Sequence, residues 1–297
     1  MTSAALSSAP ALSQPPATAG IAGSARPAPS AHGSRSTRTA PGFLRSVGVE
    51  LLKMRRLRVL LITVLLVIAS VAMSSIDLFS QSKIHSLADP AAKPWASLLL
   101  AMVLFNALTQ PIFVAVLASR QTDIEHSGAG WNLASTSGLT PGALCRVKLA
   151  ALTLLIVPAA VIQSVALIAV ARMVGLSLPL DVGPWVTYTL LLALVNTAMC
   201  AYHLWLAAVV ENQLIVMSTG LLSGFIGIFT LLVPPEIVRW TPWGYYALIT
   251  PAARSASTGS QTAVTYIDVP AGWIAGFLIL TALIFTVVTH RLNRIER

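Results

Sequence analysis

The polar segment from Arg120 to Leu149 contains the side chains best suited to binding another protein. Asp123 and Glu125 lie near its start, and Trp131 follows a glycine-containing stretch. Carboxylates near a helix start complement the helix dipole, so these two residues could cap a helix as well as dock a partner. A Trp in a charged loop needs a surface to pack on, which could be a partner groove or the membrane. These residue types indicate binding rather than catalysis.

Uncharged polar residues occur inside the apolar parts of the chain. Asn106, Gln110 and Asn196 could line a pathway or form interhelical hydrogen bonds. Ion-coupled carriers usually need acidic or histidine relays at mid-membrane, and the apolar runs lack charged residues. His203 is the nearest candidate, and helix packing explains it better than proton transfer. An ion-coupled carrier is therefore the least favoured function.

Motifs for nucleotide binding and catalysis are missing from the sequence. There is no G-x-x-x-x-G-K-[ST] motif, since no lysine follows a glycine, and no G-x-S-x-G, H-E-x-x-H or Cys/His cluster. Cys145 and Cys200 have no metal or disulfide spacing, which is typical of reduced structural thiols. We expect this chain to bind no cofactor and to have no enzymatic activity. Energy for any transport would come from a partner.

Composition places the chain in a lipid bilayer. Of its 297 residues 56% are hydrophobic and 10% are charged, whereas a soluble domain has about 25% charged residues. The net charge of +9 does not indicate nucleic-acid binding, because the basic residues lie at the ends of apolar runs, where membrane topology explains them.

Apolar runs of spanning length set the predicted architecture, since about 20 residues cross the hydrocarbon core. Six runs qualify, at about 59–76, 95–119, 149–171, 182–210, 212–235 and 269–290. Only Glu211 separates the fourth run from the fifth, so we expect a tight turn there.

The remaining segments have distinct compositions. Residues 1–41 are rich in Ala, Ser and Pro and predict a disordered tail. Residues 43–57 predict an amphipathic helix on the membrane surface, or else an extension of the first span. Residues 120–148 form the long inner loop. The outer loop, 236–268, is rich in aromatic residues and predicts short helices in the outer leaflet or simple anchoring of the adjacent spans.

Basic residues indicate the orientation. With the N-terminus inside, fourteen of the nineteen Lys and Arg residues lie on cytoplasmic segments, as the positive-inside rule requires. The sequence thus predicts an all-α membrane protein of the cell membrane. Its six transmembrane helices are preceded by an amphipathic interfacial helix, and both termini are cytoplasmic.

Three motifs lie at defined positions relative to the predicted spans. "VELLKMRRLR" places Glu50, Lys53 and Arg56 in a Glu-x-x-Lys-x-x-Arg pattern on the interfacial helix. "DIEHSGAGWNLASTSGLTPGALCRVKL" fills the inner loop, and "RWTPWGYYALITP" follows the fifth span. In this order, over about residues 43–297, the chain resembles the permease subunit of ABC transporters of the ABC-2 (type V exporter) class. Within that class it is similar to permeases of lantibiotic-immunity, peptide or multidrug export systems. The long leading tail departs from the usual short start of this family.

The resemblance implies a dimer with a second permease copy or a paralogue. Each permease would dock a separate cytoplasmic ATP-binding subunit, which holds the ATP, through a coupling helix in 120–148. Membrane lipid is the other partner, and nucleic acid is not expected. The candidate residues are Asp123, Glu125 and Trp131 for ATPase docking, Glu50, Lys53 and Arg56 for the interfacial helix, and Asn106, Gln110 and Asn196 for the pathway lining.

A non-transporting membrane scaffold or regulator is the alternative function. A neighbouring gene that encodes a P-loop protein would favour the exporter, and its absence would favour the scaffold.

Overall fold

The computed structural model of the chain describes residues 42–80, 87–128, 130–255 and 263–295. The tail predicted for 1–41 lies outside these described residues. Within them the fold is helical apart from one two-stranded sheet. Six of the helices are long and apolar enough to cross a membrane. The predicted all-α membrane architecture is therefore confirmed.

The α-helices are numbered in chain order over the described residues. They are α1 Phe43–Arg56, α2 Val59–Ser75, α3 Pro94–Ser127, α4 Gly130–Thr136, α5 Pro141–Val174, α6 Val182–Val209, α7 Gln213–Thr230, α8 Pro235–Val238, α9 Tyr245–Leu248 and α10 Ala271–Ile295. Short 3-10 turns occupy Ile76–Phe79, Pro90–Ala92 and Pro242–Gly244.

The predicted inner loop 120–148 is mostly helical, which corrects the sequence-based boundaries. Helix α3 continues to Ser127 instead of ending at 119, and α5 begins at Pro141 instead of 149. No Gly or Pro interrupts the chain between 120 and 127, so the helix continues until Gly128. Thr140 caps α5 by accepting a hydrogen bond from the Ala143 N–H, and Pro141 occupies the first turn. The interruption between the two helices is therefore short and contains α4.

Helix α1 is separate from the first span, because Arg58 adopts a left-handed conformation with φ of 56° between α1 and α2. Val47, Glu50 and Met54 are buried, on a helix that packs against α5, while Phe43 and Leu44 are 54% and 84% exposed. The polar partners of Glu50, which are described below, explain its burial.

The segment between α7 and α10 contains the predicted short helices and also an unpredicted hairpin. Strands β1 (Ala252–Ser255) and β2 (Ala263–Tyr266) pair antiparallel, with Ala252 opposite Tyr266. Each strand has only four residues, too few to show an alternating pattern in the sequence.

Helix α3 is the centre of the bundle and packs against α2, α6 and α7. Its contact with α7 depends on glycine. A Cβ at Gly224 or Gly227 would collide with the carbonyl oxygens of Leu108 and Ala107. Small residues therefore let the two backbones approach closely, as is common between membrane helices. At the periphery, α10 has few buried residues, whereas more than half of the apolar part of α3 is buried.

Candidate functional site

Four charged side chains form a closed cluster where α1, α3 and α5 meet. Lys148 Nζ lies 2.7 Å from Glu50 Oε2 and 2.8 Å from Glu125 Oε1. Lys53 Nζ lies 2.7 Å from Glu50 Oε1 and 2.8 Å from Glu125 Oε1. Each lysine thus bridges both carboxylates, and the formal charges cancel. We call these four residues the ion cluster.

Burial makes the ion cluster depend on complete pairing. Lys148 is 0% exposed, and Glu50 and Glu125 are each 2% exposed. A buried charge is costly unless it is paired and hydrogen-bonded. Gln121 contributes here, because its backbone oxygen accepts from Lys148 Nζ at 2.9 Å and its side-chain amide donates to Glu50 Oε2 at 2.6 Å.

Lys53 is the partly exposed member, with 31% of its side chain accessible. Burial lowers its pKa, but hydrogen bonds and charge interactions with Glu125 and Glu50 outweigh burial and leave the pKa above its usual value of 10.5. Lys53 therefore remains charged at neutral pH and holds the outer side of the cluster.

The ion cluster brings together some of the predicted residues and changes the role of one. Glu50 and Lys53 join Glu125, whereas Arg56 is exposed and lies outside the ion pairs of the described residues. Glu125 is buried and bonded within the chain, so the docking role predicted for this carboxylate does not fit its position. Lys148 was not among the candidate residues, since the sequence carries no sign of its partner 98 positions away.

Helix α4 lies directly against the ion cluster. A Cβ at Gly130 would collide with Glu125 Oε2, so glycine is required for this approach. Trp131 Nε1 donates to His126 Nδ1 at 3.4 Å, and His126 Nε2 lies 2.8 Å from the Ala207 carbonyl oxygen. Trp131 therefore packs on its own chain and links α4 to α6.

Several residues of α4 are exposed. Leu133 is 72% exposed, and Asn132 is exposed beside it. Asp123 is partly exposed, and its carboxylate has no hydrogen-bond partner among the described residues. Leu133 is thus the large apolar side chain that α4 leaves exposed. Leu133 was not among the predicted residues.

Uncharged polar side chains form a second cluster inside the bundle, which we call the amide network. Asn106 Oδ1 accepts from Ser70 at 3.0 Å and from Gln163 Nε2 at 2.6 Å. Gln110 Nε2 donates to Gln163 Oε1 at 3.1 Å, and Asn196 Nδ2 donates to Gln110 Oε1 at 2.8 Å.

Two tyrosines extend the amide network. The Tyr188 hydroxyl accepts from Asn106 Nδ2 at 3.0 Å, and the Tyr246 hydroxyl donates to Asn196 Oδ1 at 2.9 Å. Tyr246 belongs to α9, so the segment predicted as an outer loop reaches into the bundle. The three residues predicted to line a pathway, Asn106, Gln110 and Asn196, are brought together by interhelical hydrogen bonds. Their role in a pathway stays a prediction.

Among the described residues, no group of His, Cys, Asp and Glu is arranged to hold a metal ion. Cys145 and Cys200 are free and buried. No protein-family model and no curated protein matches this chain. The ion cluster, helix α4 and the amide network are therefore the basis on which a function is assigned.

Proposed function

We propose that this chain is the membrane-spanning permease subunit of an ATP-driven exporter of the ABC-2 class. A separate cytoplasmic subunit binds the ATP, and a second permease copy or paralogue completes the pathway. Both termini face the cytoplasm, in the cell membrane. The observation that carries the proposal is the contact between helix α4 and the ion cluster, at the place where the resemblance expects a coupling helix.

A force applied to α4 has a defined route into the membrane helices. Gly130 lets α4 lie close to Glu125, and Glu125 is bonded to Lys53 on α1 and Lys148 on α5. Displacement of α4 therefore acts on three helices together. Because the paired charges are buried, separating them is costly, so the helices move as a unit instead of losing their ion pairs.

Continuous helices carry this displacement to the amide network. Helix α3 extends from Glu125 past Pro111 to Gln110 and Asn106, and α5 extends from Lys148 past Pro158 to Gln163. The network in turn is bonded to Ser70 on α2 and to Tyr246 on α9. A push on α4 would in this way change the arrangement of the helices around a polar interior.

Co-purification with the candidate ATP-binding subunit tests the docking surface. Leu133→Asp places a charge on the exposed face of α4 and should abolish co-purification and stimulated ATP hydrolysis. The matched control is Leu232→Asp, since Leu232 is 81% exposed and lies just beyond α7. If the Leu133→Asp variant still assembles with the ATP-binding subunit, α4 is not the docking surface. If no P-loop protein associates with the wild-type chain, the permease proposal is wrong.

The fully bonded amide network also fits a non-transporting scaffold, because satisfied buried hydrogen bonds favour one rigid arrangement. ATP-dependent transport of a compound across the membrane of vesicles that contain both subunits would exclude the scaffold function. Assembly with a partner but no nucleotide-dependent movement would favour it.

A further inference from the structure

A long apolar groove lies between α6 and α10, separate from the ion cluster and the amide network. Its volume is about 820 Å³, and Met199, Tyr202, Gly276 and Phe285 are among the residues that line it. On α10 the lining runs from Gly272 to Val288, about 24 Å at the helical rise per residue. The groove is thus elongated along the direction of the membrane helices.

One end of the groove carries a single cation. Arg239 is the only charged residue among the described residues that line it. Its Cζ lies 4.6 Å from the ring centroid of Trp273 and 5.9 Å from that of Trp240. The faces of the aromatic rings stabilise the cation. The rings do not, however, accept hydrogen bonds from the N–H groups in the plane of the guanidinium.

The donors at this end lack acceptors. Arg239 Nε and Trp243 Nε1 are buried and have no hydrogen-bond partner among the described residues. Arg172 provides an internal comparison, because it also lies over an indole ring, that of Trp95 at 4.9 Å. Arg172 donates to the carbonyl oxygens of Leu176 and Leu178 at 2.8 and 3.0 Å, whereas Arg239 forms no ion pair or side-chain hydrogen bond within the described residues.

We propose that the groove binds an anionic phospholipid of the membrane, with its phosphate on Arg239 and one acyl chain along α10. The planar guanidinium suits a phosphate oxygen pair, and the terminal N–H groups of Arg239 donate to no acceptor among the described residues. The apolar lining suits an acyl chain. Arg239 gives this end of the described groove an uncompensated positive charge, so net negative charge should be preferred. This inference does not rest on the permease function.

Tryptophan fluorescence in reconstituted vesicles tests the proposal. The wild-type chain is placed in phosphatidylcholine vesicles that contain either brominated phosphatidylglycerol or brominated phosphatidylcholine, because bromine atoms quench nearby indoles. We expect quenching by the brominated phosphatidylglycerol at roughly tenfold lower fraction, the preference that one charge-assisted hydrogen bond supplies. Equal quenching by the two lipids would overturn the proposal.

Three variants separate the parts of the site. Arg239→Gln should abolish the preference for phosphatidylglycerol. Arg254→Gln, the control, removes an exposed cation of the neighbouring hairpin and should leave the preference intact. Gly276→Leu should also abolish it, because the position meets no atom within 4 Å that would resist a side chain, so the leucine fills the groove without displacing the helix.

Other results would refute this assignment. If Arg254→Gln weakens the preference as much as Arg239→Gln, the attraction is a general surface charge. If Gly276→Leu leaves the preference unchanged, the acyl chain lies elsewhere. If Gly276→Leu changes the oligomeric state without changing the quenching, a second copy of the chain occupies the groove. Melting temperatures of the variants close to that of the wild type establish that these readouts report binding.

Discussion

Replacement of Lys148 by Met is the sharpest test of the ion cluster. The substitution keeps a long side chain and removes the charge that bridges Glu50 at 2.7 Å and Glu125 at 2.8 Å. It also removes the donor to the Gln121 oxygen at 2.9 Å. Two buried carboxylates then share Lys53 alone, and the cluster acquires a net negative charge.

The expected loss is large because the remaining carboxylates are buried. Removing one partner of a buried ion pair costs about 3–5 kcal/mol, mostly from the charge left without compensation. Glu50→Gln in the same chain removes one of the uncompensated charges. The double variant should therefore be destabilised by about 1–3 kcal/mol less than the sum of the two single variants.

Denaturation of the purified chain in detergent, followed by circular dichroism, measures these differences. Lys93→Met is the matched control, since Lys93 is exposed and forms none of the ion pairs of the described residues, and it should change stability by less than about 0.5 kcal/mol. A similarly small effect of Lys148→Met would refute the buried cluster. Strict additivity in the double variant would show that the cost is not electrostatic.

Three further outcomes are expected. Gly224→Leu should destabilise the bundle by about 3 kcal/mol or more, because the new side chain meets the α3 backbone. The control Gly48→Ala faces open space and should stabilise α1 slightly. Equal melting temperatures of the two variants would contradict the close α3–α7 contact. In intact cells a membrane-impermeant thiol reagent should label Glu236→Cys and spare Ser137→Cys, and the two native cysteines add no background because they are buried. The reverse pattern would overturn the cytoplasmic placement of the termini. The stability supplied by Lys53 should be complete below pH 10.5 and be lost as pH rises through its raised folded-state pKa; a loss already between pH 7 and 9, absent in Lys53→Met, would contradict that pKa.

Hydropathy predicted the six membrane helices because length and lack of charge are sufficient to identify a span. It misplaced the ends of α3 and α5, since those helices continue into residues that carry charge. Asp123 and Glu125 lie on the same helix as Asn106. A prediction that ends the helix at the first charged residue assigns them to different elements.

Pairing across long sequence separations was beyond prediction. Lys148 and Glu50 are 98 residues apart, and Gln163 and Ser70 are 93 apart. Nothing local distinguishes these side chains from topological bases or from isolated polar residues in a span. Glu50 gave the one usable signal, an acidic residue at the border of an apolar helix face. Tyr246 gave none, because aromatic residues near a membrane surface are ordinary anchors.

The composition of the amide network has an electrical consequence. Amides and hydroxyls carry no formal charge, so a rearrangement of Asn106, Gln110, Gln163 and Asn196 relative to one another moves no charge through the membrane field. Each elementary charge that crosses the full field would add about 2.3 kcal/mol per 100 mV. The charged residues of the ion cluster lie instead near the helix ends and cancel one another. Movements confined to the amide network should therefore be insensitive to the membrane potential, and they should occur equally in energised and depolarised cells.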